Sequence, residues 1–209
     1  MFTLIKKEIE DHIAYFIGAA VLSAILIALL ISAMYQPEPR DMPVFIGLSI
    51  PVIVILIVGF PAMGSTQMYT DRTRKISTLL STLPVSRRQI LCARIITGIL
   101  AILTLLLPLT ITMVILFPLF TPPIQMYLGL VWEIFAAAFL MAFACYCLGL
   151  LTGWNSSKII PTLGGLVLTS ILLPLIFVKG FGLHTVVILL LFIIASLMRT
   201  WHTFMSTSL

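Results

Sequence analysis

Long apolar runs alternate with short polar connections along almost the whole chain. A run of about 20 apolar residues is long enough to cross the hydrocarbon core of a bilayer as an α-helix. Six such runs can be placed, at residues 13–33, 44–63, 95–119, 132–153, 159–178 and 181–198. The pattern predicts an all-α integral membrane protein with six transmembrane helices, in which residues 1–209 form a single transmembrane domain.

The first twelve residues have a different pattern. Phe2, Ile5 and Ile9 fall on one side of a helix, and most of the charged residues among residues 6–11 fall on the other. Such a segment is typical of a helix that lies in the membrane interface. We therefore expect an N-terminal interfacial helix that leads into the first span.

The longest polar interruption, Tyr69–Arg94, holds six of the twelve Lys and Arg residues. In its first half, about residues 71–83, apolar side chains recur with helical spacing at Ile76, Leu79, Leu80 and Leu83. This spacing predicts a short amphipathic helix between the second and third spans.

The second half of the interruption predicts a helix start. Pro84 ends the preceding helix, and Ser86 with Gln89 three residues later forms a capping box, with Arg87 between them. Residues 84–89 are therefore expected to be a stiff joint at the base of the third span.

Composition supports the membrane assignment, since 61% of the residues are hydrophobic and only 9% are charged, against about 25% charged in soluble domains. The net charge of +5 follows from membrane topology more simply than from nucleic-acid binding, which we do not expect. If the Tyr69–Arg94 segment is cytoplasmic, ten basic residues lie on that side and only Arg40 and Lys179 lie outside. This bias predicts a multi-pass protein of the cell membrane with both termini in the cytoplasm.

The sequence offers little for catalysis. It has no HExxH, GxSxG or GxxxxGK[ST] motif, so we expect neither an enzyme nor a cofactor bound by this chain. Glu133 is the one acid near a span, where an ionised side chain is costly. It is either an anchor at the outer membrane boundary, as the adjacent Trp132 favours, or a polar contact in a translocation path or dimer seam.

Small residues recur every four positions in the first span, at Ala20, Ala24 and Ala28. Such a stripe allows close approach of a second helix, which would make it a dimer seam. Alternatively, the stripe reflects only the frequency of alanine in membrane helices.

The segment Ser77–Leu91, STLLSTLPVSRRQIL, preceded by Asp71 and Arg72 and followed by Arg94, resembles the signature of type-2 ATP-binding-cassette (ABC) exporter permeases. The resemblance extends over the chain to the N-terminal helix, the six spans and the long loop after the second span. It departs from many members of that family at Asp71 and at Lys75-Ile76, where these have Glu and Gly-Thr, and at Arg94, which is often Lys.

The resemblance implies that residues 71–83 are a coupling helix that docks on a separate cytoplasmic ABC ATPase, which binds ATP and Mg. The implied contacts are Asp71, Arg72, Arg74, Lys75 and Thr78. It also implies export by two permease subunits, alike or different. The alternative from another functional class is a membrane-embedded regulatory or immunity protein that binds a partner and transports nothing.

Overall fold

The computed structural model describes residues 2–35, 58–73, 87–120, 127–154, 170 and 182–206. Within these ranges all residues except His12 and Gly182 are helical. The six helices are α1 (Phe2–Asp11), α2 (Ile13–Tyr35), α3 (Phe60–Thr73), α4 (Arg87–Phe120), α5 (Tyr127–Trp154) and α6 (Leu183–Ser206).

Four of the described helices are long and apolar enough to cross a membrane. Their candidate spans are Ile13–Ser32, Arg88–Leu116, Val131–Gly153 and Leu183–Ser206. The described part of the chain is therefore all-helical, as the sequence predicts, with four helices that could span a membrane. The second predicted span lies outside the described residues up to position 57, and the fifth lies outside them except at residue 170.

Helix α1 confirms the helical part of the N-terminal prediction. It ends at Asp11, and a single turn residue, His12, separates it from α2. The backbone remains hydrogen-bonded through this junction, because the His12 amide donates to the carbonyls of Glu8 and Ile9. Helix α1 therefore continues into the first span through one short turn.

Helix α3 differs from the predicted boundary. The second span was expected to end near Met63, but α3 runs without interruption from Phe60 to Thr73. Pro61 lies in its first turn, where the missing amide proton is not required for helical hydrogen bonding. Asp71 consequently lies in the last turn of α3 and does not begin a separate helix.

Helix α4 begins at Arg87, directly after the predicted capping residue Ser86, which lies outside the described residues. The helix also continues through Pro108, where the sequence suggests an interruption. The Thr112 hydroxyl donates to the Pro108 carbonyl oxygen over 2.7 Å. Residues 87–120 therefore form one uninterrupted helix.

Helix α5 lies at the centre of the described bundle, in contact with α3, α4 and α6. Its packing on α3 depends on glycines at the crossing. A Cβ at Gly64 would lie 2.6 Å from the Tyr146 carbonyl oxygen, and one at Gly153 would lie 2.5 Å from that of Ser65. Gly149 similarly faces the Pro61 backbone. The small residues of α5 thus let two backbones meet within one chain.

Contacts between the helices place several termini at one end of the bundle. Tyr146 and Gly153, late in α5, contact α4 and α3, and Phe204, late in α6, shares a core with Leu91, early in α4. Arg88 lies over the Trp201 ring, 5.9 Å from its centroid. This end, called the basic end below, carries every Lys and Arg whose side chain the structure describes: Lys6, Lys7, Arg88, Arg94 and Arg199.

Candidate functional site

Tyr146, at the basic end, is the largest fully buried side chain among the described residues. Its ring lies over Gly98 of α4, where any Cβ would collide with it. Its hydroxyl lies 2.6 Å from the Gln67 Oε1 atom and 2.8 Å from the Arg94 carbonyl oxygen. Tyr146 therefore joins α5 to both α3 and α4.

The Tyr146 hydroxyl has one proton and cannot donate to both oxygens at once. It donates to the Arg94 carbonyl, which can only accept. The Gln67 amide then fits best in the opposite orientation, with its NH₂ group donating to the tyrosine oxygen, since oxygen and nitrogen of an amide are assigned from their partners.

Arg94, the last residue of the exporter-like signature, is buried, with its side chain 3% exposed. Its Nε atom lies 3.3 Å from the Glu8 Oε1 atom of α1, and its Nη1 atom lies 3.1 Å from the Met68 sulfur of α3. An isolated buried guanidinium would be strongly unfavourable, so Glu8 is the counter-ion that permits this position.

His12 lies beside the same carboxylate. Its Nε2 atom is 3.8 Å from the Glu8 Oε1 atom, and its side chain is 13% exposed. Burial lowers the pKa of His12 from its ordinary value of 6.5; Glu8 opposes this shift, while the Arg94 charge adds to it. Since Arg94 lies closer to the carboxylate, His12 is the weaker and proton-dependent partner of Glu8.

A hydrogen bond between two hydroxyl groups joins α2 to α3 at the basic end. The Tyr15 and Thr66 hydroxyl oxygens are 2.9 Å apart. Thr66 already has acceptors in its own helix, the carbonyl oxygens of Ala62 and Met63, so Tyr15 acts as the donor. The first five helices are thus linked at the basic end by polar contacts. The residues Glu8, His12, Gln67, Arg94 and Tyr146 are called the buried polar cluster below.

The sequence-predicted contact residues lie next to this cluster or beyond the described part of the chain. Asp71 and Arg72 are in the last turn of α3, and their side chains are not described. Arg87 is the first residue of α4, and Gln89 is exposed two residues later. The remaining predicted residues are outside the described ranges: Arg74, Lys75, Thr78, Pro84 and Ser86.

The alanine stripe of α2 is exposed at all three positions, Ala20, Ala24 and Ala28. Glu133 is also exposed, in the second turn of α5, at the end of the helix remote from the buried polar cluster. Neither the stripe nor Glu133 contributes to the cluster. Their roles as a dimer seam or translocation path remain predictions.

Sequence reasoning did not find the buried polar cluster. It placed Glu8 among the solvated charges of α1 and Arg94 among the cytoplasmic basic residues. Two signals were present, since Arg94 is followed by an apolar run and Tyr146 stands within the small, apolar segment ACYCLG. A polar group inside such a run indicates a buried partner, but its identity requires the fold.

No family model, curated protein or solved structure matches the chain.

Proposed function

We propose that the chain is the membrane-spanning permease subunit of an ATP-driven ABC exporter, coupled to a separate cytoplasmic ATPase. The single observation that carries the proposal is the arrangement of the two helices that flank the signature. Met68 of α3 contacts Arg94 of α4, and Tyr146 of α5 bonds to the Arg94 backbone. A force on the segment between α3 and α4 would therefore reach α5 directly.

The cluster gives this segment a stiff base. A coupling element must transmit displacement into the spans, which requires that its flanking helices move together. The buried Tyr146 and Gln67 side chains and the close approach at Gly64 hold α3 against α5. In the proposed mechanism, closure of the ATPase on ATP displaces residues 71–83, and α3, α4 and α5 respond as one unit at the basic end.

The proposal places the basic end in the cytoplasm, where it meets the ATPase. The described basic residues gathered there favour this orientation by the positive-inside rule. A second permease subunit would complete the transport path. The exposed alanine stripe of α2 is the candidate seam, because small residues allow close helix contact.

Charge reversal in the predicted contact region tests the proposal. The double variant Arg72→Glu and Arg74→Glu should insert and fold normally, lose the co-purifying ATPase, and lose export in membrane vesicles. The matched control is Lys6→Glu and Lys7→Glu, which reverses two exposed charges at the same end of the bundle. The control should retain both the ATPase and export.

Two outcomes would contradict the proposal. Normal ATPase co-purification and export in the Arg72/Arg74 variant would remove the assigned docking contact. Stoichiometric recovery of a partner other than an ATPase with the wild-type chain would favour the regulatory or immunity protein instead.

A further inference from the structure

The N-terminal helix α1 is attached to the bundle through a carboxylate that faces two basic side chains. The Glu8 Oε1 atom lies 3.3 Å from the Arg94 Nε atom and 3.8 Å from the His12 Nε2 atom. The three side chains are 15%, 3% and 13% exposed, respectively. One partly buried anion is therefore shared between a permanent cation and a titratable one.

His12 occupies the position where α1 meets α2. It is the single residue between the two helices, and the Tyr15 amide donates to its carbonyl oxygen over 3.0 Å. A change in the charge of His12 therefore acts at the joint about which α1 would move. We propose that α1 is a proton-sensitive clasp, held on the bundle by Glu8 and Arg94 while His12 is neutral and loosened when His12 is protonated.

Burial gives the direction of the effect, because a charged imidazole is poorly solvated at this site. With His12 neutral, the Glu8 and Arg94 charges cancel. Protonation places a third charge in a poorly solvated site, where it competes with Arg94 for one carboxylate oxygen. Asp11 favours the protonated form, and the Tyr15 ring, with its centroid 6.1 Å from that of His12, carries no charge. Burial, the largest effect, and the Arg94 charge oppose protonation, whereas Glu8 favours it as Asp11 does.

The direction in which pH changes the docking of α1 follows from the pKa of His12. Burial lowers the pKa of His12 in the docked state below its ordinary value of 6.5. Between these two pKa values the released state binds more protons than the docked state, so lowering the pH favours release. Docking is therefore strongest above pH 6.5 and weakens as the pH falls through that value. The inference concerns α1 alone and does not depend on the proposed exporter function.

Hydrogen exchange of the full-length protein in lipid nanodiscs tests the clasp. Amide protection of residues 2–11 is measured at about pH 7.5 and about pH 5.5, with correction for the intrinsic exchange rate. Wild type should lose protection on acidification by up to about tenfold, which is the most that one group with a pKa of 6.5 in the released state can contribute at pH 5.5. His12→Gln, which cannot titrate, should keep its protection, and His12→Lys, which is always charged, should have low protection at both pH values.

The chain provides matched controls in His184 and His202, which are exposed and lie on α6. The variants His184→Gln and His202→Gln should respond to pH as wild type does. Equal protection of wild-type α1 at both pH values would overturn the proposal. So would an equal loss of protection in wild type and His12→Gln, because the titrating group would then lie elsewhere.

Discussion

Helices α2 and α5 are both apolar and long enough to span a membrane, but they occupy opposite environments. In the most apolar 18-residue window of α2, 17% of the residues are buried, against 50% in that of α5. Helix α5 contacts three other helices, whereas α2 packs mainly on α4. Composition alone therefore does not separate an interior helix from a peripheral one in this protein.

The difference lies in where the small and polar residues fall. Gly149 and Gly153 of α5 face α3, and Tyr146 points into the buried polar cluster. In α2 the alanine stripe and Gly18 are exposed, and a Cβ at Gly18 would have no atom of the described residues within 4 Å. Small residues thus form an internal contact in α5 but lie on an exposed face in α2. The predictions below test this contrast, from the largest effect to the smallest.

Helix α1 makes two ion pairs: Glu8–Arg94 faces the bundle, and Lys6–Glu10 faces outward. The largest expected loss of stability comes from breaking the inward pair. Arg94→Met leaves the Glu8 carboxylate with only the titratable His12 beside it and should cost about 3 kcal/mol of unfolding free energy, because the permanent counter-ion of a largely buried pair is lost. Unfolding in detergent by denaturant titration measures the loss. Adding Glu8→Gln should restore a large part of it.

The outward pair of α1 supplies the control. Lys6 and Glu10 lie 3.9 Å apart with side chains 78% and 64% exposed, so Lys6→Met should leave the unfolding free energy almost unchanged. Equal losses of unfolding free energy in Lys6→Met and Arg94→Met would contradict the distinction between the inward and outward faces of α1.

The next largest difference in stability is expected between glycine substitutions at the buried α3–α5 contact and on the exposed face of α2. Gly64→Ala places a Cβ 2.6 Å from the Tyr146 carbonyl oxygen and 2.9 Å from the Leu150 amide nitrogen. Since both neighbours are backbone atoms, the helices must move apart, at a cost of about 1–3 kcal/mol. Gly18→Ala on α2 should be neutral or slightly stabilising, because alanine favours a helix over glycine. Thermal unfolding of the two variants in one detergent makes the comparison.

The smallest expected losses of stability come from removing the hydroxyl groups of two tyrosines. Tyr146→Phe removes the only hydroxyl that joins Gln67 to the Arg94 carbonyl, both buried, and should cost about 1.5 kcal/mol. Tyr15→Phe should cost less, since Thr66 keeps its acceptors within α3. Denaturant titration measures the unfolding free energy of the two variants. A larger loss in Tyr15→Phe than in Tyr146→Phe would contradict the greater contribution expected of the buried tyrosine.

The apolar pattern predicted the class of fold and much of the helix placement. It located four of the described helices as spans and the N-terminal helix, and the Ser86 capping signal agrees with the start of α4 at Arg87. Cys145 and Cys147, two residues apart on α5, are buried in different apolar clusters. These features depend on local spacing, which the sequence displays directly.

The features that the sequence did not predict depend on contacts between distant residues. Pro61 suggested a helix end, but its place in the first turn of α3 makes it compatible with a helix that continues to Thr73. The pairing of Glu8 with Arg94 joins residues from the first and fourth helices. Periodicity assigns each to a face of its own helix, but only the fold shows that the two faces meet.

The order of synthesis determines when the Glu8–Arg94 pair can form. The chain is made from its N-terminus, so Glu8 is present before Arg94 emerges. When α4 reaches the bilayer, the counter-ion for its arginine is already available on a completed helix, whereas Tyr146 is added only later. The protein can therefore match this charge early in assembly and complete the polar network with α5 as a subsequent step.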